Sequence, residues 1–253
     1  MKREIVETVL AGYSPISLKE MDEVRLMNRV DTKFLTSFLL LPDILRRLQM
    51  NYFVLEVNGL RMNAYQTMYL DTSDRAMYLA HHNGRFKREK IRVRAYVDSR
   101  TTFLEVKNKN NKGRTKKKRM KLPEMKAYKQ QEAESFLELN ADYSLDRLIP
   151  QLENSFHRTT LVNKKKTERL TIDMDLSFRN PSSGVEKQIE DLVVIELKQS
   201  AYQPSYAKSV LSDFRIQPMG FTKYCFGTIL TVPDVKRNRF KEKIIKLNKI
   251  RKQ

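Results

Sequence analysis

Lys90, Arg92 and Arg94 stand two residues apart in the stretch Lys90-Ile91-Arg92-Val93-Arg94-Ala95-Tyr96. Glu105 and Lys107 repeat that spacing in Phe103-Leu104-Glu105-Val106-Lys107, as do Glu196 and Lys198 in Val193-Val194-Ile195-Glu196-Leu197-Lys198. Arg169, Thr171, Asp173 and Asp175 alternate with Leu170, Ile172, Met174 and Leu176, and Arg29, Asp31 and Lys33 alternate with Val30, Thr32 and Phe34. Two is the period of a β-strand, so each segment carries an ionic face and a mostly apolar face. Carboxylates suit a hard divalent cation, and ammonium and guanidinium groups suit phosphate oxygens. Together they are the equipment of phosphoryl transfer, in which the protein positions groups and stabilises charge.

An antiparallel sheet with one face in water also alternates polar and apolar residues. Such a face mixes Thr, Ser, Gln, Lys and Glu, whereas here the polar positions are almost wholly ionic. Like charges side by side on a strand repel. A polyanion and a metal lying between them would relieve that repulsion. With the apolar faces under helices, the ionic faces point inward. The expected fold is α+β: a closed antiparallel β-barrel of about eight strands enclosing a charged tunnel, with helices packed outside. Helical patterns at Pro42–Met50, at Ser73–His81 behind a capping Asp71-Thr72, at Met125–Leu139 and at Pro204–Phe214 supply the cover.

The 253 residues include 49 Lys and Arg against 30 Asp and Glu, a net charge of +19, which points to polyanionic partners. No repeat or Gly/Ser/Pro linker divides the chain, so residues 1–234 read as one domain. Residues 235–253 form a basic tail with Phe240, Ile244 and Leu247 at helical spacing. That stripe fits a helix lying on an anionic surface, or a terminal helix packed on the body, the commoner use of such a stripe. No stretch approaches the roughly 20 apolar residues of a membrane span, and no signal core follows the N-terminus, so the expected location is cytoplasmic. The single cysteine, Cys225, excludes an intrachain disulfide and thiolate zinc sites, and reads as a small buried hydrophobe. His81 and His82 are neighbours, poorly placed for shared ligation, and are expected at the surface. No phosphate loop, dinucleotide fingerprint or His-Glu-x-x-His is present. A nucleic-acid binder is the competing reading of the charge, but such a protein has no need of carboxylates among its cations.

In order along the chain come Arg29-Val-Asp-Thr-Lys33-Phe-Leu, Tyr69-Leu-Asp-Thr72, Lys90-Ile-Arg-Val-Arg94-Ala-Tyr, Phe103-Leu-Glu-Val-Lys107, Arg169-Leu-Thr-Ile-Asp-Met-Asp175, Val194-Ile-Glu-Leu-Lys198 and Phe221-Thr-Lys-Tyr224. This ordered set resembles the VTC domain, the polyphosphate polymerase domain of the vacuolar transporter chaperone, within the triphosphate tunnel metalloenzymes. The resemblance covers about residues 20–230. It implies transfer of the γ-phosphate of ATP to a growing polyphosphate chain, with Mn or Mg. It implies that Lys33, Arg92, Arg94, Lys107, Arg169, Lys198 and Lys223 line the phosphate path, with Arg29 and Lys90 beside them. Lys118 stands for the run Arg114 to Lys121, basic throughout, where alternation does not fix which side chain turns inward. Glu196 would be the chief metal ligand, with Asp173, Asp175 and Glu105 completing the metal site or orienting Lys and Arg. Tunnel hydrolases and cyclases carry Glu-x-Glu-x-Lys on the first tunnel strand. Here that stretch reads Arg29-Val30-Asp31-Thr32-Lys33, which favours the polymerase branch over an inorganic or nucleoside triphosphatase.

Overall fold

The computed structural model describes residues 2–22, 30–112 and 114–251. The chain opens with α1 (Lys2–Ala11), β1 (Pro15–Ile16), α2 (Leu18–Asp22), β2 (Val30–Ser37), α3 (Leu41–Leu48) and β3 (Tyr52–Leu55). The middle holds β4 (Asn63–Asp71), α4 (Ala76–His82), β5 (Arg88–Tyr96), β6 (Thr101–Lys109), β7 (Thr115–Leu122) and α5 (Gln131–Asn140). It closes with β8 (Ile149–Asn163), β9 (Glu168–Arg179), β10 (Glu186–Ile189), β11 (Leu192–Gln199), α6 (Tyr206–Asp213), α7 (Lys223–Thr231) and α8 (Lys241–Ile250).

Eight strands run in the order β2-β11-β9-β8-β4-β5-β6-β7, each antiparallel to its neighbour. The expected ring is not closed by hydrogen bonds: β2 and β7 are the two ends of the path. The outer edge of β2 instead meets residues 218–219, where Phe34 bridges Pro218 and the Met219 N–H donates to the Lys33 carbonyl at 2.8 Å. The sheet still curls, bringing Lys107 on β6 close enough to Lys33 and Asp31 on β2 to feel their charge.

The apolar faces turn outward, as the alternation predicts. Ile91, Val93, Leu104 and Val106 are buried in one cluster with Ala133 and Leu137 of α5. Ile172, Met174, Ile195 and Leu197 are buried in another with Val6 of α1, Ile44 and Leu48 of α3 and Val210 of α6. At about 1.5–3 kcal/mol for each buried Leu, Ile or Val, these two layers hold the curled sheet against the repulsion of its own concave face.

A third apolar cluster lies on the concave side. Leu35, Tyr69, Leu152, Phe156, Phe178 and Val194 pack there against Tyr224, Phe226 and Ile229 of α7. This helix fits because Gly227 has no side chain: a Cβ there would stand 2.4 Å from Phe178 Cδ1 and 2.5 Å from Leu152 Cδ2. Helix α7 thus fills one end of the concavity and leaves the other end to the charged residues. Phe240 and Leu247 bring α8 onto the same cluster, so its apolar stripe packs on the body.

Helix α4 starts at Ala76, three residues later than expected and behind a left-handed Arg75 (φ 60°), yet Asp71 and Thr72 still cap it. Asp71 Oδ1 accepts from the Met77 N–H and Oδ2 from the Tyr78 N–H, both at 2.9 Å, and Thr72 Oγ1 accepts from Ala76. The expectation of surface histidines fails at His82, which is buried. The segment before α8 crosses α4, stacking Phe240 on His81 and donating the Arg239 N–H to His82 Nε2. Cys225 is buried on α7, and burial pushes its thiol up to about 11, so it is an inert apolar residue. Among the described residues no helix is long and apolar enough to cross a membrane.

Candidate active site

Each strand of the concave face delivers its ionic side chains by alternation. Lys90, Arg92 and Arg94 project from β5, Glu105 and Lys107 from β6, and Arg169 and Asp173 from β9. Glu196 and Lys198 project from β11, and Lys33 from β2. Lys223 arrives differently, from the first turn of α7, and donates to Asp173 Oδ2. The register fixes the neighbours: Arg92 opposes Glu105, Lys33 opposes Glu196, and Arg169 opposes Lys198. Arg92 and Glu196 both act on Lys107, so the two flanks of the curled sheet share one chamber.

Three carboxylates organise this chamber, and each is held between two cations. Glu105 accepts from Arg92, at 2.7 Å from Nε and 2.6 Å from Nη2, and from Lys117. Asp173 accepts from Arg158 at 2.5 and 2.8 Å, and from Lys223. Glu196 accepts from Lys33 and, at 2.9 Å, from Lys198. Burial alone would raise these carboxyls, but the cations outweigh it. Arg92, Arg94 and Lys117 hold Glu105 down to about 2, and Asp173 and Glu196 also lie well below the carboxylate range.

The cations are in excess even after this pairing. Lys90, Arg94 and Lys107 have no ion-pair partner among the described residues. Arg94 is only 7% exposed; its Nε donates to Thr67 Oγ1 at 3.2 Å, and its guanidinium lies 5.8 Å from the Tyr65 ring centroid. Arg158 lies 5.1 Å from the same ring and Lys223 4.3 Å from the stacked Phe156. Two aromatic faces therefore add weak negative potential beside these cations, and for Arg94 they do so where no carboxylate does. The chamber is built for an anion with several charges.

Two of the expected site residues, Lys118 and Asp175, are not in the chamber. Lys118 opposes Val106 on β6, whose side chain packs outward, so Lys118 belongs to the outer side of β7. Lys117, opposite Lys107, is the inward lysine. Asp175 is not in the chamber. A bulge between Ser155 and His157 sets Phe156 against two residues of β9, and Asp175 takes φ 54° there. The extra residue reverses the phase. Asp175 turns to the outer side and pairs with Arg3 at 2.9 Å and His157 at 3.1 Å, while Leu176 turns in. The same bulge hides Arg158 from a sequence reading, because the ionic alternation of β8 is broken beside it. Arg29 lies outside the described residues.

The expected joint metal ligands do not cluster. Among the described residues no three His, Cys, Asp or Glu side chains stand together as a metal site. The donor type still fits: a hard cation that enters with phosphate needs one or two carboxylates and takes its other ligands from phosphate and water. Glu196, between two lysines rather than arginines, is the carboxylate that could serve as such a ligand.

The VTC domain family model matches residues 28–232, which contain every strand and cation of the chamber. The chain belongs to the VTC domain family. No curated protein matches it. Among solved structures, this VTC domain protein is similar to a candidate adenylate cyclase from Bacillus halodurans. That likeness has 14% identity and TM-score 0.48 over 78% of this chain and 96% of that one. It is also similar to HpAC1 from Hippeastrum, a candidate adenylyl cyclase with a dominant triphosphatase activity. The values there are 13% identity and TM-score 0.48 over 81% and 98% of the two chains. Both are likenesses of chain path.

Buried lysines give this VTC domain protein a pH signature. Burial of their ammonium ends pushes Lys90, Lys198 and Lys223 down to about 8. A bound polyanion favours their charged form and raises them again. Binding of ATP, the ligand that the resemblance implies, is therefore expected to take up protons above pH 8, where its phosphates are already ionised. Affinity for ATP is expected to be highest near pH 7 and to fall roughly tenfold or more by pH 9. Titration calorimetry at pH 8.5 in two buffers of different ionisation heat reads the uptake directly. Zero net uptake would show that these lysines do not face the ligand.

Proposed function

We propose that this VTC domain protein is an ATP-dependent polyphosphate polymerase. The observation that carries the reading is the excess of cations around three already neutralised carboxylates: Arg94, which is buried, and Lys90 and Lys107 beside it make no ion pair among the described residues. That excess suits a linear polyanion more than a single phosphate. Family membership supports the same reaction class.

ATP enters with its triphosphate along the concave wall. Arg92 and Arg94 offer guanidinium forks to phosphate oxygens, and Lys33, Lys107, Lys198 and Lys223 add point charges. An oxygen of the acceptor's terminal phosphate, already ionised, attacks the γ-phosphorus. The bond from that phosphorus to the β–γ bridging oxygen breaks, and ADP leaves with the electron pair. One phosphoanhydride forms for the one broken, so no side-chain nucleophile is needed. The cationic wall offsets repulsion between donor and acceptor and stabilises the transition-state charge. A divalent cation, Mn or Mg, supplies further charge compensation when bound, and Glu196 would hold it.

The test is incubation of the pure protein with ATP and Mn, with gel sizing of polymer and assay of free phosphate. Long polymer with ADP is expected. Glu196→Gln should lower kcat roughly tenfold or more while the fold persists. Free phosphate without polymer would make the protein a triphosphatase instead.

A further inference from the structure

The end of the concavity filled by α7 carries cations that the chamber does not use. Arg88 opens β5 and stands in register with Lys109, which closes β6, two like charges directly opposite each other. Such a pair is destabilising unless something negative lies over it. Lys243 of α8 reaches the same place from the other side. Its Nζ lies 6.0 Å from the centre of the Phe240 ring, which stacks on His81, and 3.4 Å from where a Gly220 Cβ would be. None of the three has an ion pair among the described residues. The surrounding sequence supplies none either: residues 106–123 hold nine Lys and Arg and no Asp or Glu.

This cluster is continuous with the chamber. Lys90 lies two residues from Arg88 on the same face of β5, and its Nζ donates to Thr222 Oγ1 at 3.1 Å, at the start of α7. On the inner side Lys90 lies in the field of Lys107, Arg92 and Lys33. On the outer side His81 feels Lys90, Arg88, Lys243 and Lys109 together. The buried Nδ1 of His81 has no hydrogen-bond partner. Positive charge thus runs from the chamber past the first turn of α7 to the outside.

We propose that Arg88, Lys109 and Lys243 form a second anion site, which holds the distal phosphates of a linear polyphosphate whose other end lies in the chamber. The inference rests on the polymerase reading for its ligand. It gives α8 a purpose beyond packing, since the apolar stripe that docks the helix also carries Lys243 to this place. A longer chain reaches more of these cations than a triphosphate does, so the second site discriminates by chain length.

The test uses the full chain with Lys109→Gln and Lys243→Gln combined, neither residue belonging to the chamber. Binding of tripolyphosphate and of long-chain inorganic polyphosphate is measured across a salt series. Tripolyphosphate affinity is expected to stay within about twofold of wild type, while long-chain affinity falls roughly tenfold and its log–log salt slope drops by about two. The pair Lys164→Gln and Lys165→Gln, an equal charge change on an exposed hairpin, should leave both affinities unchanged. Equal loss for both ligands, no loss for the long chain, or equal loss in the hairpin control would each overturn the second site. So would loss of binding to anionic phospholipid vesicles with polyphosphate binding intact. ATP turnover, assayed separately, reports on the polymerase reading: normal polymer synthesis with unchanged long-chain binding sinks only the second site.

Discussion

Arg94→Met is expected to weaken ATP and tripolyphosphate binding ten- to a hundredfold while the empty protein becomes no less stable. Arg94 is a buried cation with no carboxylate of its own; it has one hydrogen bond, to Thr67, and two aromatic rings near its guanidinium. Burial pulls its pKa down, and neighbouring Arg92 adds to that pull. A buried charge without a partner is costly, so its missing counter-charge is the ligand's. Loss of charge-assisted hydrogen bonds worth ~1.5–3 kcal/mol gives the range of affinity loss. Methionine fills most of the vacated space without charge, so the thermal midpoint of the empty protein should hold or rise. Arg94→Lys separates the fork from the charge and should fall between the two. Thermal shift with and without tripolyphosphate reads both effects at once. A variant with wild-type affinity would remove β5 from the site.

Asp173→Asn is expected to have the opposite sign on stability. Asp173 is 3% exposed and holds both the Arg158 fork and Lys223. Removing its charge leaves two buried cations facing each other. Breaking a buried pair in this way costs about 3–5 kcal/mol. For a chain of this size that is a drop in midpoint on the order of 10 °C. The loss should be partly recovered by tripolyphosphate, whose oxygens replace the carboxylate, so the ligand-induced shift should exceed that of wild type. The same reasoning sets the acid limit. The folded-state carboxyl lies far below its unfolded value, so its stabilisation is complete above about pH 5 and is lost progressively as pH falls below that. An unchanged midpoint would mean that this carboxylate does not hold its two cations. A loss that tripolyphosphate does not reduce would mean that the ligand does not reach them.

Much of this protein is determined by the sequence alone. Strict alternation in 90–96, 103–107 and 193–198 dictates strands with one ionic face, because a period of two admits no other regular backbone. The repulsion of Lys90, Arg92 and Arg94 along one strand favours an anion over their face, and the apolar Ile91 and Val93 between them require cover on the other. Asp71-Thr72 determines the start of α4 through local hydrogen bonds. What only the tertiary structure decides depends on contacts between distant segments. The bulge that opposes Phe156 to Asp175 and Leu176 is a property of the β8–β9 pair, invisible in either strand, and it exchanges Asp175 for Arg158 in the chamber. The choice of Lys117 over Lys118 is set by the register of β7 on β6, since in an unbroken basic run either phase reads alike. The position of Lys223 depends on α7 entering the concave side, which Gly227 permits by its lack of a side chain beside Phe178 and Leu152. Alternation is local and survives translation into structure. Phase, register and the packing of a helix inside a curled sheet are long-range, and only the folded chain fixes them.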